Sequence, residues 1–306
     1  MTDRATYEGQ VALLVRVLPI VAEEACFALK GGTAINLFYR DMPRLSVDID
    51  LVYVPFKPRA ESHQEIDEAL GRIADAIERR IAGAQCQRIQ GGGHLETRMI
   101  VTLDNISIKI EVNPNMRGLL VAPGLKPVSE TVEDRFGFAE ANLAAFEEVY
   151  AGKLVAALDR QHPRDLFDIL LLKEGDGISD DLFSAFLIYL SCSPRPMHEL
   201  LSPNLRNLEE PFEREFAGMT AEPVELVILE EARAWLIGEL QSRLTGNAAT
   251  YLRGLHNAKP DVALIGRPVA ANFPAIAWKL QNIETLKRDN PDRHREVGQF
   301  LEALLH

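Results

Sequence analysis

The chain has 306 residues, 47% of them apolar and 25% charged, which is enough apolar material for two hydrophobic cores. Its formal net charge of −12 argues against a general nucleic-acid binder, because neutralising phosphates takes concentrated Lys and Arg. Cys26, Cys86 and Cys192 are too few and too widely spaced for a disulfide framework or a zinc site, and read as small apolar residues in a reducing cytoplasm. No apolar run approaches a membrane span, and Asp3, Arg4 and Glu8 stand where a leader would be basic and then apolar, so neither membrane contact nor export is expected.

In chain order, apolar spacing predicts a helix over 11–25, then a short strand over 26–29 that runs into Gly31-Gly32. Thr33 is placed to cap a helix over 34–39, Asp41-Met42-Pro43 breaks it, and alternation with β-branched residues predicts a strand over 48–54. A long amphipathic helix over 63–82 follows, closed by Gly83, then strands over 85–90, 95–103 and 106–112, the last two joined by an Asp104-Asn105 hairpin turn. A further strand is expected at 127–131, and helix throughout from Phe138. The loops around Gly91-Gly92-Gly93 and Ser193 to Pro196 are expected to be mobile. The chain reads as α+β: a mixed-sheet domain over 1–134 and an all-helical domain over 135–306.

Four groups of residues carry chemistry. Gly31 and Gly32 lack side chains, so their amides can approach phosphate oxygens beside Lys30, and Thr33 adds a hydroxyl; the same pattern also describes a tight strand-to-helix turn. Asp48 and Asp50, two apart on a strand, project from one face with Cα atoms roughly 6–7 Å apart. Such a pair can share a magnesium or manganese ion whose other ligands are waters and substrate phosphates, or it is a solvent-facing acidic pair. Glu111 faces the same way on a neighbouring strand as a third carboxylate for the metal and a proton acceptor, unless Lys109 pairs with it. Lys153, Ala157 and Arg160 share a helical face, and Pro163 starts a new helix with Arg164 and Asp165 in its first turn and Asp168 one turn on. Lys153 is placed to reach a triphosphate, while Asp165 and Asp168 either orient Lys153 and Arg160 or cap the helix.

Taken together, Lys30-Gly31-Gly32-Thr33-Ala34, Arg44-x-Ser46-x-Asp48-Ile49-Asp50, Lys153-Leu154-x-Ala156-Ala157 and Arg164-Asp165-Leu166-Phe167-Asp168 resemble the AbiEii/AbiGii family of nucleotidyltransferase toxins, MenT-like toxins among them. The resemblance covers about 27–172 and leaves the helices beyond Ser179 unmatched. It implies a DNA polymerase β-like nucleotidyltransferase fold with a helical domain behind it, and the toxin half of a type IV toxin–antitoxin or abortive-infection system. Members transfer a nucleotide from an NTP with magnesium, some onto the acceptor end of tRNA, so NTP, tRNA and a cognate antitoxin are the implied partners. Gly32 and Thr33 match the phosphate turn, Asp48 and Asp50 the metal pair, and Lys153 the triphosphate lysine. Asp165 and Asp168 fall in the final motif with Arg164, and Glu111 is the best-placed match for the third carboxylate, with Glu where Asp is commoner. Lys30, Gly31, Ser46, Arg160 and Arg164 join the nucleotide-binding set, and Arg44 fits the pattern ahead of the strand.

Two rival readings remain. One is a domain of the same fold that holds a nucleotide or partner without turnover. The other is a haloacid-dehalogenase-like phosphatase, which Asp48-Ile49-Asp50 and Gly175-Asp176-Gly177 resemble, although Gly175 follows an amphipathic helix rather than a strand and suits a helix end with Ser179 or Asp180 capping the next. Trp235 and Trp278 are expected in the core, His162 in an exposed loop, and the basic spots Arg79-Arg80 and 287–295 on solvated helix faces.

Overall fold

A computed structural model describes residues 4–90 and 96–306; the Gly91–Gly93 loop and Leu95 lie outside the described residues. The chain divides into two compact units, Met1–Val149 with Ala217–Pro223, and Tyr150–Phe216 with Val224–His306.

The first unit runs α1 (Arg4–Ala22), β1 (Phe27–Lys30), α2 (Gly31–Ala34) continuing into a π-helical turn at Ile35–Tyr39, β2 (Asp48–Tyr53), α3 (Arg59–Arg80), β3 (Gln85–Gln90), β4 (Glu96–Leu103), β5 (Ile106–Arg117), β6 (Gly124–Pro127), α4 (Glu130–Phe136), β7 (Glu140–Leu143) and the start of α5 (Phe146–Arg160). Its seven strands form one mixed sheet in the order β3-β4-β5-β2-β1-β7-β6, with β2–β5 and β1–β7 parallel and the other pairs antiparallel. Ile49, Leu51, Met99, Val101, Ile108 and Ile110 are buried on one side, under α1 and α3. The apolar stripe Ile66, Leu70, Ile73 and Ile77 binds α3 to that layer, each side chain contributing roughly 1.5–3 kcal/mol of burial. The segment Ala217–Pro223 returns to this unit, where Leu45 N–H donates to Met219 O and Ala221 N–H to Pro43 O.

Four elements differ from the sequence reading. The strand expected at 127–131 lies earlier, as β6 at Gly124–Pro127, and Glu130 already opens α4. The helix after β1 begins at Gly31, with Lys30 and not Thr33 at its N-cap. Strand β5 continues past Pro114 to Arg117, because the β2–β5 register slips between Leu51 and Tyr53 and the extra residues form a bulge, where a missing proline N–H costs no ladder bond. Helix does not run throughout from Phe138: β7 intervenes, burying Ala141 and Leu143 alternately, too short for its period of two to show in the sequence.

The second unit contains the rest of α5, then α6 (Pro163–Glu174), α7 (Asp180–Cys192), α8 (Met197–Leu201), α9 (Glu209–Glu215), α10 (Leu226–Ser242), α11 (Gly246–His256), α12 (Pro274–Asp289) and α13 (Pro291–Glu302), with 3-10 turns at Val262–Ile265 and Pro268–Asn272. Helix α6 packs on α10 and α7 on α12. Ser179 caps α7 by accepting from Leu182 N–H, so the glycine-rich stretch before it is a helix end rather than a phosphatase loop. Trp278 is 64% exposed and no core anchor, since α12 turns Ile276 and Lys279 inward instead, and Trp235 is half-buried. The Ser193–Pro196 loop is tied down: Lys279 donates to Ser193 O and Arg195 O, and Arg195 pairs with Asp159 and Glu199. Among the described residues no helix is long and apolar enough to cross a membrane.

Candidate active site

Strand alternation sets the site. The buried partners Leu29, Ile49, Leu51 and Ile110 turn their neighbours to the other side of the sheet. Register then aligns Arg98 of β4, Glu111 of β5, Asp50 of β2 and Lys30 of β1 in one row across four adjacent strands. In the next row Lys109 lies opposite Asp48. Two carboxylates on neighbouring strands, about 5 Å apart, repel each other, and the flanking cations offset that repulsion. A cavity of about 460 Å³ opens over the row, lined by Lys30, Asp50, Thr97, Arg98, Glu111 and Asn113 among others. That volume suits a nucleotide.

Glycines bring the turn after β1 against this row. Gly31 has φ +76°, and a Cβ there would run into the Asp50 carboxylate. A Cβ at Gly32 would meet Ser46 Oγ at 2.9 Å and Arg44 Nη2 at 3.0 Å. Only glycine fits both the close approach and, at Gly31, the left-handed backbone. Thr33 is fully buried and its hydroxyl donates to Asp48 O at 2.5 Å and shares a hydrogen bond with Ser46 Oγ at 3.1 Å. The hydroxyl that the sequence reading placed in a phosphate cradle instead fastens the turn to β2. Ser46 does the same from the other side, and the buried Arg44 supports the turn from beneath Gly32.

Glu111 is clamped. Arg98 Nη2 lies 2.9 Å from its Oε1 and Lys109 Nζ 2.8 Å from its Oε2, while Lys109 also reaches within 3.9 Å of Asp48 Oδ2. Partial burial alone would raise the Glu111 pKa, but the hydrogen bonds and charges of Lys109 and Arg98 outweigh it and hold the carboxylate below its ordinary value. Burial would likewise lower Lys109, and its bond to Glu111 with the charges of Asp48, Glu111 and Asp50 raises it instead. Among the described residues no three His, Cys, Asp or Glu side chains gather as metal ligands. The Lys109 pairing that the sequence had left open is thus present, and Arg98 adds a second cation to Glu111.

The second unit holds its own charge cluster. Lys153 Nζ lies 2.8 Å from Asp165 Oδ1 and 2.9 Å from Asp168 Oδ2, and Arg160 Nη2 lies 2.9 Å from Asp165 Oδ2. The Lys153, Asp165 and Asp168 side chains are nearly inaccessible, whereas Arg160 and Arg164 extend to the surface. Both Asp165 and Asp168 thus orient Lys153; neither caps α6. The cap is His162, whose Nδ1 accepts from Arg164 N–H at 3.1 Å while Nε2 meets Glu215 at 3.0 Å. Burial holds His162 below its ordinary pKa against the opposing bond to Glu215, and accepting from Arg164 N–H takes an unprotonated Nδ1. His162 is therefore not the exposed loop residue that the sequence suggested.

A family model for the nucleotidyltransferase AbiEii toxin of type IV toxin–antitoxin systems matches residues 12–282. The chain belongs to that family. It is a nucleotidyltransferase, the toxin of such a system, whose other half is an antitoxin. The match extends far beyond the stretch that the four motifs cover, into the helices for which the sequence offered no signature. Among solved structures, MenT4, a nucleotidyltransferase toxin from Mycobacterium tuberculosis H37Rv, superposes with a TM-score of 0.60 at 15% identity, covering all of this chain and 96% of that one. At that identity the likeness is one of fold, and it supports the α+β class. The curated proteins contain no match. Asn113 and Arg98, which line the cavity, were missed from sequence, although the Asp104-Asn105 turn fixes the hairpin register that puts Arg98 opposite Glu111.

Proposed function

We propose that the row on the first unit is a metal-dependent transfer site that moves a nucleoside monophosphate from an NTP to an acceptor hydroxyl, with the acceptor end of tRNA as the candidate acceptor. The observation that carries this is the packing of Gly31 on Asp50, which puts bare backbone and a carboxylate within reach of one phosphate group. Asp48 and Asp50 offer hard oxygen donors on one face, and a magnesium or manganese ion needs no more protein carboxylates than these, so the residues fit. When bound, the ion would neutralise triphosphate charge and make the α-phosphorus more electrophilic.

The chain's own part is positioning and charge. Gly31 and Gly32 open a helix whose first N–H groups have no internal acceptor and are offered to phosphate oxygens. Lys30 and Arg98 flank the cavity and balance the anion. Glu111 is ionised but held at a low pKa by Lys109 and Arg98, which makes it a weak base, so its assigned part is to keep both cations in place rather than to take the hydroxyl proton. Lys153 with Asp165 and Asp168 keeps the role that the resemblance gives it, a hand on the triphosphate, as a separate element of the proposal.

Incubating the full chain with each labelled NTP, a divalent cation and total tRNA tests the reading. Label in RNA, lost on chelation and lost in Asp48→Ala, supports it. Label on protein moves the acceptor elsewhere, and undiminished transfer by Asp48→Ala sinks the site assignment.

A further inference from the structure

At the other end of β2, the first unit gathers positive charge that the transfer site does not use. Arg117 closes β5 opposite Tyr53 and is only 6% exposed, yet its Nε and Nη1 are buried with no hydrogen-bond partner among the described residues. His63, in the second turn of α3, also buries an unbonded Nε2. Burial, then the charges of Arg59 and Arg117, hold His63 below its ordinary pKa, and burial with Arg59, opposed by Tyr53, does the same to Arg117. Gly118, next to Arg117, packs on Phe56, two residues before Pro58, so the end of β5 lies beside the start of α3, a 22-residue helix whose N-cap, Pro58, supplies no side-chain bond. The first N–H groups of that helix therefore have no side-chain cap. The one acid of the turn, Glu61, is not among the charges acting on either His63 or Arg117.

A buried guanidinium without a partner is costly, and a fold tolerates it where a ligand completes it. We propose that Arg117, His63, Arg59 and the amino terminus of α3 form a binding site for a phosphoryl group. A tetrahedral anion offers several acceptors at once, which suits an arginine fork, an imidazole donor and backbone N–H groups converging from different elements. Phe56, 43% exposed, borders the site: Gly118, next to Arg117, has φ +91° and would meet the Phe56 ring if it carried a Cβ. An aromatic surface beside a phosphate site favours a phosphate that carries a base. Tyr53 bonds Glu65 of α3, whereas Asp48 and Asp50 project from the opposite face of β2, so the site is separate from the transfer site and does not depend on its chemistry.

The test is thermal unfolding of the full chain at constant ionic strength, with inorganic phosphate or with a short single-stranded oligoribonucleotide. The wild type should melt about 2–4 °C higher with one or both. A rise with phosphate assigns a small anion, and a rise with oligoribonucleotide alone assigns a nucleic-acid backbone. Arg117→Met should lose that rise while melting, unliganded, no lower than the wild type, since it removes an uncompensated buried charge. Neither ligand raising the wild type overturns the proposal. So does an equal rise in Arg117→Met, which places the anion at the Gly31–Gly32 turn, or a lower unliganded melting point, which gives Arg117 a purely structural role. Arg59→Ala, on the exposed rim, guards against misfolding of the first variant: it should at least halve the rise, and an unchanged rise there refutes the site.

Discussion

The two charge clusters of this protein use the same side chains in opposite ways. On the sheet face, Asp48, Lys109, Glu111 and Arg98 are 44, 34, 29 and 53% exposed, whereas on α5 and α6 the Lys153 and Asp168 side chains are 7 and 0% exposed. Near water, ion pairs are screened, contribute little to stability and can exchange one partner for another at small cost. Removed from water, each charge relies on its partner, and losing one strands the other. The first arrangement suits a site that must admit a charged substrate and metal; the second fixes the Lys153 ammonium in one position between two carboxylates.

The largest effect that can break this contrast lies in the buried cluster. Asp168→Ala leaves Lys153 short of one of its two carboxylates, and is expected to destabilise the second unit by about 3–5 kcal/mol, read by urea unfolding. A loss under 1 kcal/mol would mean that the cluster is as exchangeable as the sheet face. Asp50→Ala should do the reverse. Turnover is expected to fall roughly 10²–10³-fold, as for other groups that act on charge at a reacting centre, with stability within about 0.5 kcal/mol because the position is half exposed. An Asp50 variant that unfolds would erase the distinction.

The sheet face was largely legible in the sequence because strands report their faces residue by residue. Alternation alone put Asp48, Asp50 and Glu111 on one side, and the structure keeps them there. The identity of Glu111's partner was left open, since Lys109 is two residues away while Arg98 is reached only through the hairpin register. The α5–α6 cluster was visible as spacing, but the burial of Asp165 and Asp168 was not, because helix periodicity says which side chains share a face and not what lies against it. The proposed phosphoryl site was invisible: Arg59 and His63 lie on α3 and Arg117 more than fifty residues on, at the end of β5 beyond the register slip. The basic stretches that did stand out are neutralised, Arg80 by Glu23, Arg288 by Asp289 and Arg293 by Glu296. Composition reveals charge density, whereas a site needs charge without a partner.

A smaller effect sharpens the contact between turn and strand. Gly31→Ala meets both a left-handed backbone and the Asp50 carboxylate, so a destabilisation of about 1–3 kcal/mol is expected, accompanied by weaker metal dependence as Asp50 is pushed aside. Thermal unfolding and a metal titration of activity check both parts. Full stability with normal metal dependence would show that the turn does not hold Asp50 in place.

The smallest effect concerns Lys109, the cation that the sheet face already contains. Its ammonium sits between Asp48 and Glu111 and competes electrostatically with any ion that Asp48 would hold. Lys109→Met removes that competitor, and because the pairs are partly exposed the gain is on the order of 1 kcal/mol, or about fivefold tighter apparent metal affinity. The sign of the pH response follows from the same pairing. Glu111 lies below its ordinary 4.5, so its contribution to stability is complete above that value and fades as pH falls through the lower folded pKa. Lys109 lies above 10.5, so its contribution is complete below that value and fades only as pH rises through the higher folded pKa. In Lys109→Met the alkaline loss should vanish, and the acid loss should begin at a higher pH because Glu111 keeps only Arg98. Unfolding curves across the pH range separate the two limbs; a variant that binds metal more weakly than the wild type would make Lys109 a supporting residue of the metal site instead of its competitor.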